Sequence, residues 1–556
     1  MKIKSCLLFF ALMSGVSAPV NAQDVSSLSQ KGAPNLSGNL RLGGFFYTHD
    51  NESNPRLPPL GYQISGGLNA SWGAFQIPVS FVLSQHSLNI SSPFNMYGAS
   101  PYYKWIKLHL GHRSLEFSPY IFSGRTFQGI GVELTPGKWQ IVGFSGRLRN
   151  LLAFREEVAS GAIAIPHLDR RIEGAKIGIG SRNNRFELMA IRVKDLGNQM
   201  SDFMFPPAEN LVIGTKFHFK LFKRFQLLVN SSTSLFTSNT NEIRPREVPD
   251  VFNQLASIHP LTIGTRASIA GDAALNYNHK GYVLGFRYRR IEPFYQSLAT
   301  NFIQNDVENI TIQAALPLMK KKLRLRGEVG RQRDNLQNHK AFTSNRWISA
   351  VTGTWLPNQD FNLLLRYSNY QHESTTGIIE VIDTLRILTT THNTMLNTQW
   401  KVWDKDGKSF SLSLNIFSNE LVDEALLTER NNSFSGRGIS SRATYLVKEW
   451  DASGGPIFNY NSYAYTGFTQ SRIGGGFFIT KSFVDKKVST TIIVNRQQNQ
   501  LDKKANGRLL NLNFQARYRI NRTHQISLGI IYLDNQTRAT NSFKETRGNI
   551  SYGLQF

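Results

Sequence analysis

The chain has 556 residues, 63 Lys plus Arg against 38 Asp plus Glu, a formal net charge of +25, 12% aromatic residues and one cysteine. So aromatic a composition excludes general disorder. The lone cysteine excludes an intrachain disulfide framework and any four-cysteine metal site.

Residues 1–22 read as a secretory leader. Lys2 and Lys4 make a basic start, 7–13 is a short apolar run, and Val20-Asn21-Ala22 places small residues before a cut at Gln23. Cys6 precedes that apolar run, which argues against a lipid anchor, and its removal leaves a mature chain without cysteine. Residues 23–37 then form a short periplasmic segment, too short for the plug of a TonB-dependent transporter. Beyond the leader no stretch reaches 18 consecutive apolar residues, so no membrane-spanning helix is expected. A closed barrel is the other way across a bilayer, because lipid leaves no partner for open strand edges.

From residue 38 to 556 the sequence alternates. Ile213, Thr215, Phe217 and Phe219 oppose Gly214, Lys216, His218 and Lys220. Leu284, Phe286 and Tyr288 oppose Gly285, Arg287 and Arg289, and Leu323, Leu325 and Val329 oppose Arg324, Arg326 and Glu328. Leu363, Leu365 and Tyr367 oppose Leu364, Arg366 and Ser368. The pattern is plainest in 509–520, where Leu510, Leu512, Phe514, Tyr518 and Ile520 oppose Asn511, Asn513, Gln515, Arg517 and Arg519. A period of two gives each strand one apolar and one polar face. Short links with turn chemistry (Pro136-Gly137-Lys138, 181–184, 276–280, 357–360, 404–407, Asn521-Arg522) alternate with long polar ones at about 48–60, 85–101, 148–170, 194–210, 236–260, 291–308, 371–391, 418–441, 497–507 and 534–546. That alternation predicts one all-β transmembrane antiparallel barrel with short periplasmic turns and long external loops. The expected strand number is about 22, even, within roughly 20–26. Residues 102–135 and 442–480 each have room for a further hairpin.

Gly111 to Gly131 breaks the pattern. It is rich in Gly, Pro, Ser and aromatic residues and carries Arg113, Glu116, Tyr120 and Arg125. Irregular backbone at membrane depth must be buried in protein or line a watery space. The segment is therefore either folded into the lumen as a constriction built on those four residues, or a poorly patterned hairpin with an external loop. The phrases K-L-x-L-G-x-R at 107–113, F-S-P-Y at 117–120, G-V-E-L-x-P-G at 131–137 and the run GRQRDNL at 330–336 resemble large outer-membrane barrel proteins of Bacteroidetes. The resemblance implies the barrel fold and the outer membrane and brings no activity with it.

The basic residues are expected to face the lumen. An Arg on the lipid side costs about 2–4 kcal/mol at the bilayer midplane, so Arg287, Arg289, Arg324, Arg326, Arg366, Arg517 and Arg519, with Glu328 beside them, are read as lumen-lining. Unpaired, they favour anions; paired with acids such as Glu328, they only pack a closed interior. Charges near the rims have lipopolysaccharide phosphates as natural partners. Tyr47, Tyr103, Trp105, Trp139, Trp347, Trp355 and Tyr370, near strand ends, are candidates for interface belts.

Catalytic, metal and cofactor signals are weak. His109, His112 and Glu116 have ligand-like spacing, but the two histidines fall on opposite faces of an extended strand, and no G-x-S-x-G elbow is present. We expect no catalytic residues, no metal and no cofactor. Expected partners are outer-membrane lipid and lipopolysaccharide, periplasmic chaperones and the barrel-insertion machinery, and a protein docking at the external loops or periplasmic turns; nucleic acid is not expected. Two functions follow: a porin-like channel for small polar or anionic solutes, or a structural or assembly component whose barrel is occluded by loops.

Overall fold

The computed structural model describes residues 34–50, 57–84, 96–149, 168–181, 183–196, 206–246, 254–381, 387–424, 432–537 and 542–556. The leader and nearly all of the short segment after it lie outside the described residues.

Alternation in the sequence becomes one closed antiparallel sheet. The first strand, Asn35–His49, starts three residues ahead of the expected boundary and pairs with Leu60–Trp72 on one side. On its other side it pairs with the last strand, Phe543–Gln555, so that Asn39 faces Gln555 and His49 faces Glu545. A backbone bond from Gly38 N–H to Phe556 O, 2.7 Å, completes the seam. Closure leaves no strand edge unpaired, which is what hydrocarbon demands. Met96–Ala99 and Tyr102–Tyr103 both bridge Phe75–Ser84 and Ile106–Arg113, two pieces of one strand position interrupted at Ser100-Pro101. With those pieces counted once, the 27 segments make a ring of 26 among the described residues.

The ring is larger than the 22 expected because both doubtful segments add strands. Residues 102–135 supply Ile106–Arg113 and Phe127–Leu134, and 442–480 supplies Ala452–Tyr465 and Phe468–Phe483. The expected long loop at 497–507 is instead strand on both sides of a two-residue turn at Asp502-Lys503. The short turns that alternate with the long loops, from Gly73-Ala74 to 520–523, fall at one end of the barrel, while the two-residue turns Thr466-Gly467 and Asp502-Lys503 fall at the other. A type I′ two-residue hairpin needs positive φ at both positions, which Lys280-Gly281 (49° and 91°) and Asp406-Gly407 (50° and 70°) supply.

Outside, large apolar side chains are exposed at alternate positions of nearly every strand, among them Leu284, Phe286, Ile312, Val329, Leu365, Ile492 and Phe477, the last 65% exposed. Such an exposed apolar jacket on a closed barrel is tolerable only in lipid, and the protein is an outer-membrane barrel. Trp139, Trp347 and Trp355 sit on that jacket. Tyr47 does not: it is on the inner face, 3% exposed, with its hydroxyl donating to Glu545 at 3.0 Å. Tyr370 shares a face with Arg366 and also departs from the belt, because strand parity rather than nearness to an end decides the side.

Most buried apolar side chains lie inside the ring. Phe127, Val142, Phe144, Ile172, Met189, Ile191, Val193 and Val212 project from consecutive strands on the face opposite the jacket and are almost fully buried. At the loop end, residues 254–264 fold over the outer face instead. There Glu209 and His259 are buried, Glu209 takes a 2.7 Å bond from Arg192 Nε, and Thr237 Oγ1 lies 2.9 Å from His259 Nε2.

Candidate functional site: loops packed on the inner wall

What covers the inner apolar patch is the irregular segment flagged in the sequence together with a second loop. In 114–126, Phe117, Ile121 and Phe122 lie against Phe127, Val142 and Phe144 of the wall. Phe122 stacks on Phe144 at 5.3 Å between centroids, and Phe117 meets both edge-on. Leu298 and Ala299 of 292–306 join the same cluster. The stretch 291–308, expected as an external loop, thus turns inward, because its buried Tyr295, Leu298 and Ala299 have an apolar wall to meet.

Hydrogen bonds fix the two loops to each other and to the barrel. Tyr295 donates to the Tyr120 carbonyl at 2.9 Å, Ser297 to the Ile121 carbonyl at 2.7 Å, and Asn301 to the Gly124 carbonyl at 2.6 Å. On the wall, Ser234 donates to the Gln296 carbonyl at 2.6 Å, and Asn210 accepts from the Leu298 N–H at 3.1 Å. Ser232 lies 2.9 Å from the Tyr295 hydroxyl. The fully buried Ala270 and nearly buried Ala274 pack beside these contacts. The base of 292–306 is clamped by the GRQRDNL run: Asp306, 3% exposed, accepts from the Asn335 and Leu336 N–H groups and from Lys340 Nζ at 2.6 Å, while Lys340 also reaches Asp334 at 3.1 Å.

The four expected constriction residues separate into distinct roles. Tyr120 donates its hydroxyl to Asp272 at 3.0 Å, midway along the Thr265–His279 strand, and Asp272 also accepts from Asn230 at 3.0 Å. Burial, then the Asp272 charge, pushes the Tyr120 pKa up and keeps it a donor. Arg113 is held to the wall, with Nη1 donating to Ser80 Oγ at 2.8 Å and Nε to the Ala99 carbonyl at 3.2 Å. Arg125 is half-buried, and burial, then the Arg170 charge, pulls its pKa down; Arg170 itself forks onto Asp195 at 2.7 and 2.8 Å. Glu116 is exposed.

Of the expected lumen arginines, Arg287 comes within 3.8 Å of Asp272, which ties it to Tyr120, and Arg289 lies close enough to bear on the same hydroxyl. Arg324, Arg326, Arg366, Arg517 and Arg519 are exposed on the face opposite the jacket, with no side-chain hydrogen bond or ion pair among the described residues. Glu328 is likewise exposed and does not pair with Arg324 or Arg326: it sits across from Gln313 and Ala350, and the strand spacing holds the three apart. Arg326 and Arg366 both face Thr352, which puts them two strand spacings apart at one height, about 10 Å. His109 turns to Glu133 at 3.6 Å and His112 to Tyr97, so the ligand-like spacing is not realised.

The sequence reading missed Asp272, Asn210, Ser232, Ser234 and Tyr295. It also passed over one available signal. Leu188, Met189, Ala190, Ile191 and Val193 are apolar on both faces of Arg185–Leu196. A strand without alternation is covered on both sides, here by lipid outside and loops inside.

No protein-family model and no curated protein sequence matches the chain. Among solved structures it is similar to Acinetobacter baumannii OccAB2, with 9% identity over 94% of this chain and 98% of that one and a TM-score of 0.33. It is similar to the P pilus usher PapC translocation pore, with 9% identity over 94% and 99% and a TM-score of 0.36. A third is the FrpB iron transporter of Neisseria meningitidis, with 10% identity over 93% and 82% and a TM-score of 0.36. At these identities the likeness extends to barrel architecture alone.

Proposed function

We propose that the chain is the barrel of an outer-membrane translocation or assembly system, with a wide lumen narrowed on one side by residues 114–126 and 292–306. The observation that carries this reading is the ring size. Twenty-six strands spaced about 4.8 Å apart and tilted about 40° give a circumference of about 160 Å, or about 50 Å across if round. The two loops make one layer about 10 Å thick on one wall, which is far from filling such a ring. Small-solute porins need only 16–18 strands. A wider wall suits a folded or polymeric occupant.

A second reading, a channel preferring small anions, is favoured by the unpartnered Arg324, Arg326, Arg366, Arg517 and Arg519. Polymer exclusion in planar bilayers separates the two. Neutral polyethylene glycols well above the cut-off of a small-solute porin are expected to enter and lower the conductance. A cut-off at small-solute size would favour the anion channel and remove the translocation reading.

A further inference from the structure

A concavity of about 1050 Å³ is formed near the loop end around the last five strands. Its cations are Arg496 on Val488–Leu501, Arg508 on Lys504–Arg519 and Lys544 on Phe543–Gln555. Register places all three on the outer face. Arg496 stands opposite Leu510, one step from the exposed Val494 and Leu512; Arg508 stands opposite Gln498 and Gln536; Lys544 stands opposite Asp534. They sit just on the loop side of Ile492, Val494, Leu512 and Ile550, where the apolar jacket ends. Gly475, across from Arg496, leaves the floor without a side chain.

None of the three cations has a side-chain ion pair among the described residues, although two carboxylates, Asp534 and Asp50, line the same concavity; Asp50 accepts instead from the Lys544 backbone N–H at 2.9 Å. Arg496 and Arg508 are diagonal neighbours, about 7–8 Å apart at Cβ, a separation two guanidinium groups can close on one phosphate. Lys544 lies three strand spacings from Arg496, about 14 Å. Asp534 has one carboxylate oxygen bonded by Gln536 at 3.3 Å and the other buried with no hydrogen-bond partner. Cations for a phosphate, a free acceptor for a hydroxyl and an apolar wall for acyl chains follow one another down the surface.

We propose that this concavity is a binding site for a phosphorylated glycolipid of the outer leaflet. The phosphate is held by Arg496 and Arg508 with Lys544 beside it, a sugar hydroxyl donates to Asp534, and the acyl chains lie on the wall below. Basic surface at headgroup level is attracted to anionic lipid, and here the arrangement also offers a sugar contact and a bare floor. The site is independent of what the lumen conducts.

The test is native mass spectrometry of the purified full chain in detergent, titrated with diphosphorylated lipid A, with its dephosphorylated form and with inorganic phosphate. One diphosphorylated lipid A per barrel is expected to persist. The dephosphorylated lipid should bind at least tenfold more weakly, and inorganic phosphate should not displace the lipid. The combined Arg496→Gln, Arg508→Gln and Lys544→Gln variant should lose at least tenfold in affinity, while Arg290→Gln, Arg331→Gln and Arg333→Gln, on distant strands, should lose little. Unchanged heat-dependent gel migration confirms that each variant is folded. Wild-type binding by the first variant, equal loss in both, or full displacement by inorganic phosphate would each overturn the proposal.

Discussion

Truncating Phe122 should free residues 114–126 from the wall while leaving the barrel intact. The ring is 0% exposed and is packed by Phe117, Phe127 and Phe144, with centroid separations of 6.2, 6.3 and 5.3 Å. Removing a buried phenylalanine costs about 3–5 kcal/mol. Four hydrogen bonds hold the same segment: Tyr120 to Asp272, Tyr295 to the Tyr120 carbonyl, Ser297 to the Ile121 carbonyl and Asn301 to the Gly124 carbonyl. At about 0.5–1.5 kcal/mol each, they supply together about as much as the one ring does. Phe122→Ala should therefore raise the released population by roughly a hundredfold or more, at about 1.4 kcal/mol per factor of ten. The assay is amide hydrogen exchange on the detergent-solubilised barrel, read separately for 114–126, for 292–306 and for a strand far away such as Leu388–Lys405. Protection should fall in both loops, because they share hydrogen bonds, and stay unchanged in that strand. Unchanged exchange in 114–126 would refute the claim that apolar packing holds the loop. Equal loss in the distant strand would refute the claim that loop release is local.

Reversing Arg324 and Arg326 to Glu should reduce the anion-over-cation permeability ratio by roughly twofold or more, read from the reversal potential in a salt gradient; an unchanged ratio removes them from the lumen assignment. At His259, burial and then the Arg192 charge lower the pKa from the usual 6.5 of histidine to about 4. The folded loop over Glu209 is thus unaffected above pH 6.5, loses stability as pH falls from 6.5 toward 4, and loses no more below that. Proteolysis of 254–264 across that window should accelerate on acidification, and His259→Gln should flatten the profile; a wild-type rate independent of pH would contradict the assignment. Lys340→Met strands the buried Asp306 carboxylate without its 2.6 Å partner. The local cost should be about 2–3 kcal/mol, below the value for a fully buried pair because the lysine end is partly in water, and should show as faster exchange in 292–306; wild-type exchange there would mean that the backbone N–H groups of Asn335 and Leu336 suffice.

Where lipid imposes a rule, the sequence was easy to read. Leu510 to Ile520 alternate because one face meets hydrocarbon and the other does not, and the strand is found where the pattern puts it. Near the loop end the rule lapses. Strands there rise out of the bilayer, and residues 497–507 are polar on both faces, so strand and loop share one composition. For the same reason 291–308 was indistinguishable from an external loop: a watery lumen and a watery exterior select the same residues. The inner wall gave a different kind of signal. Met189, Ile191 and Val193 have no reason to be apolar in a strand that faces water inside, and that excess was the mark of a cover.

That excess also bears on whether the two loops swing or stay. In an ordinary barrel strand the contrast between faces sets the register, since a slip of one residue turns every polar side chain into lipid. Arg185–Leu196 has lost most of that contrast along its middle. Its register rests on Glu187 and Asp195, both buried on the inner face, and on the loops that cover the apolar stretch between them. Asn210 and Ser234 of the neighbouring strands bond directly to 292–306. If the loops left together, an apolar wall and several polar groups would meet water at once, a far larger penalty than opening a free-standing lid. The covered stretch of the inner wall is therefore fixed, and any opening or closing must come from what occupies the rest of the lumen.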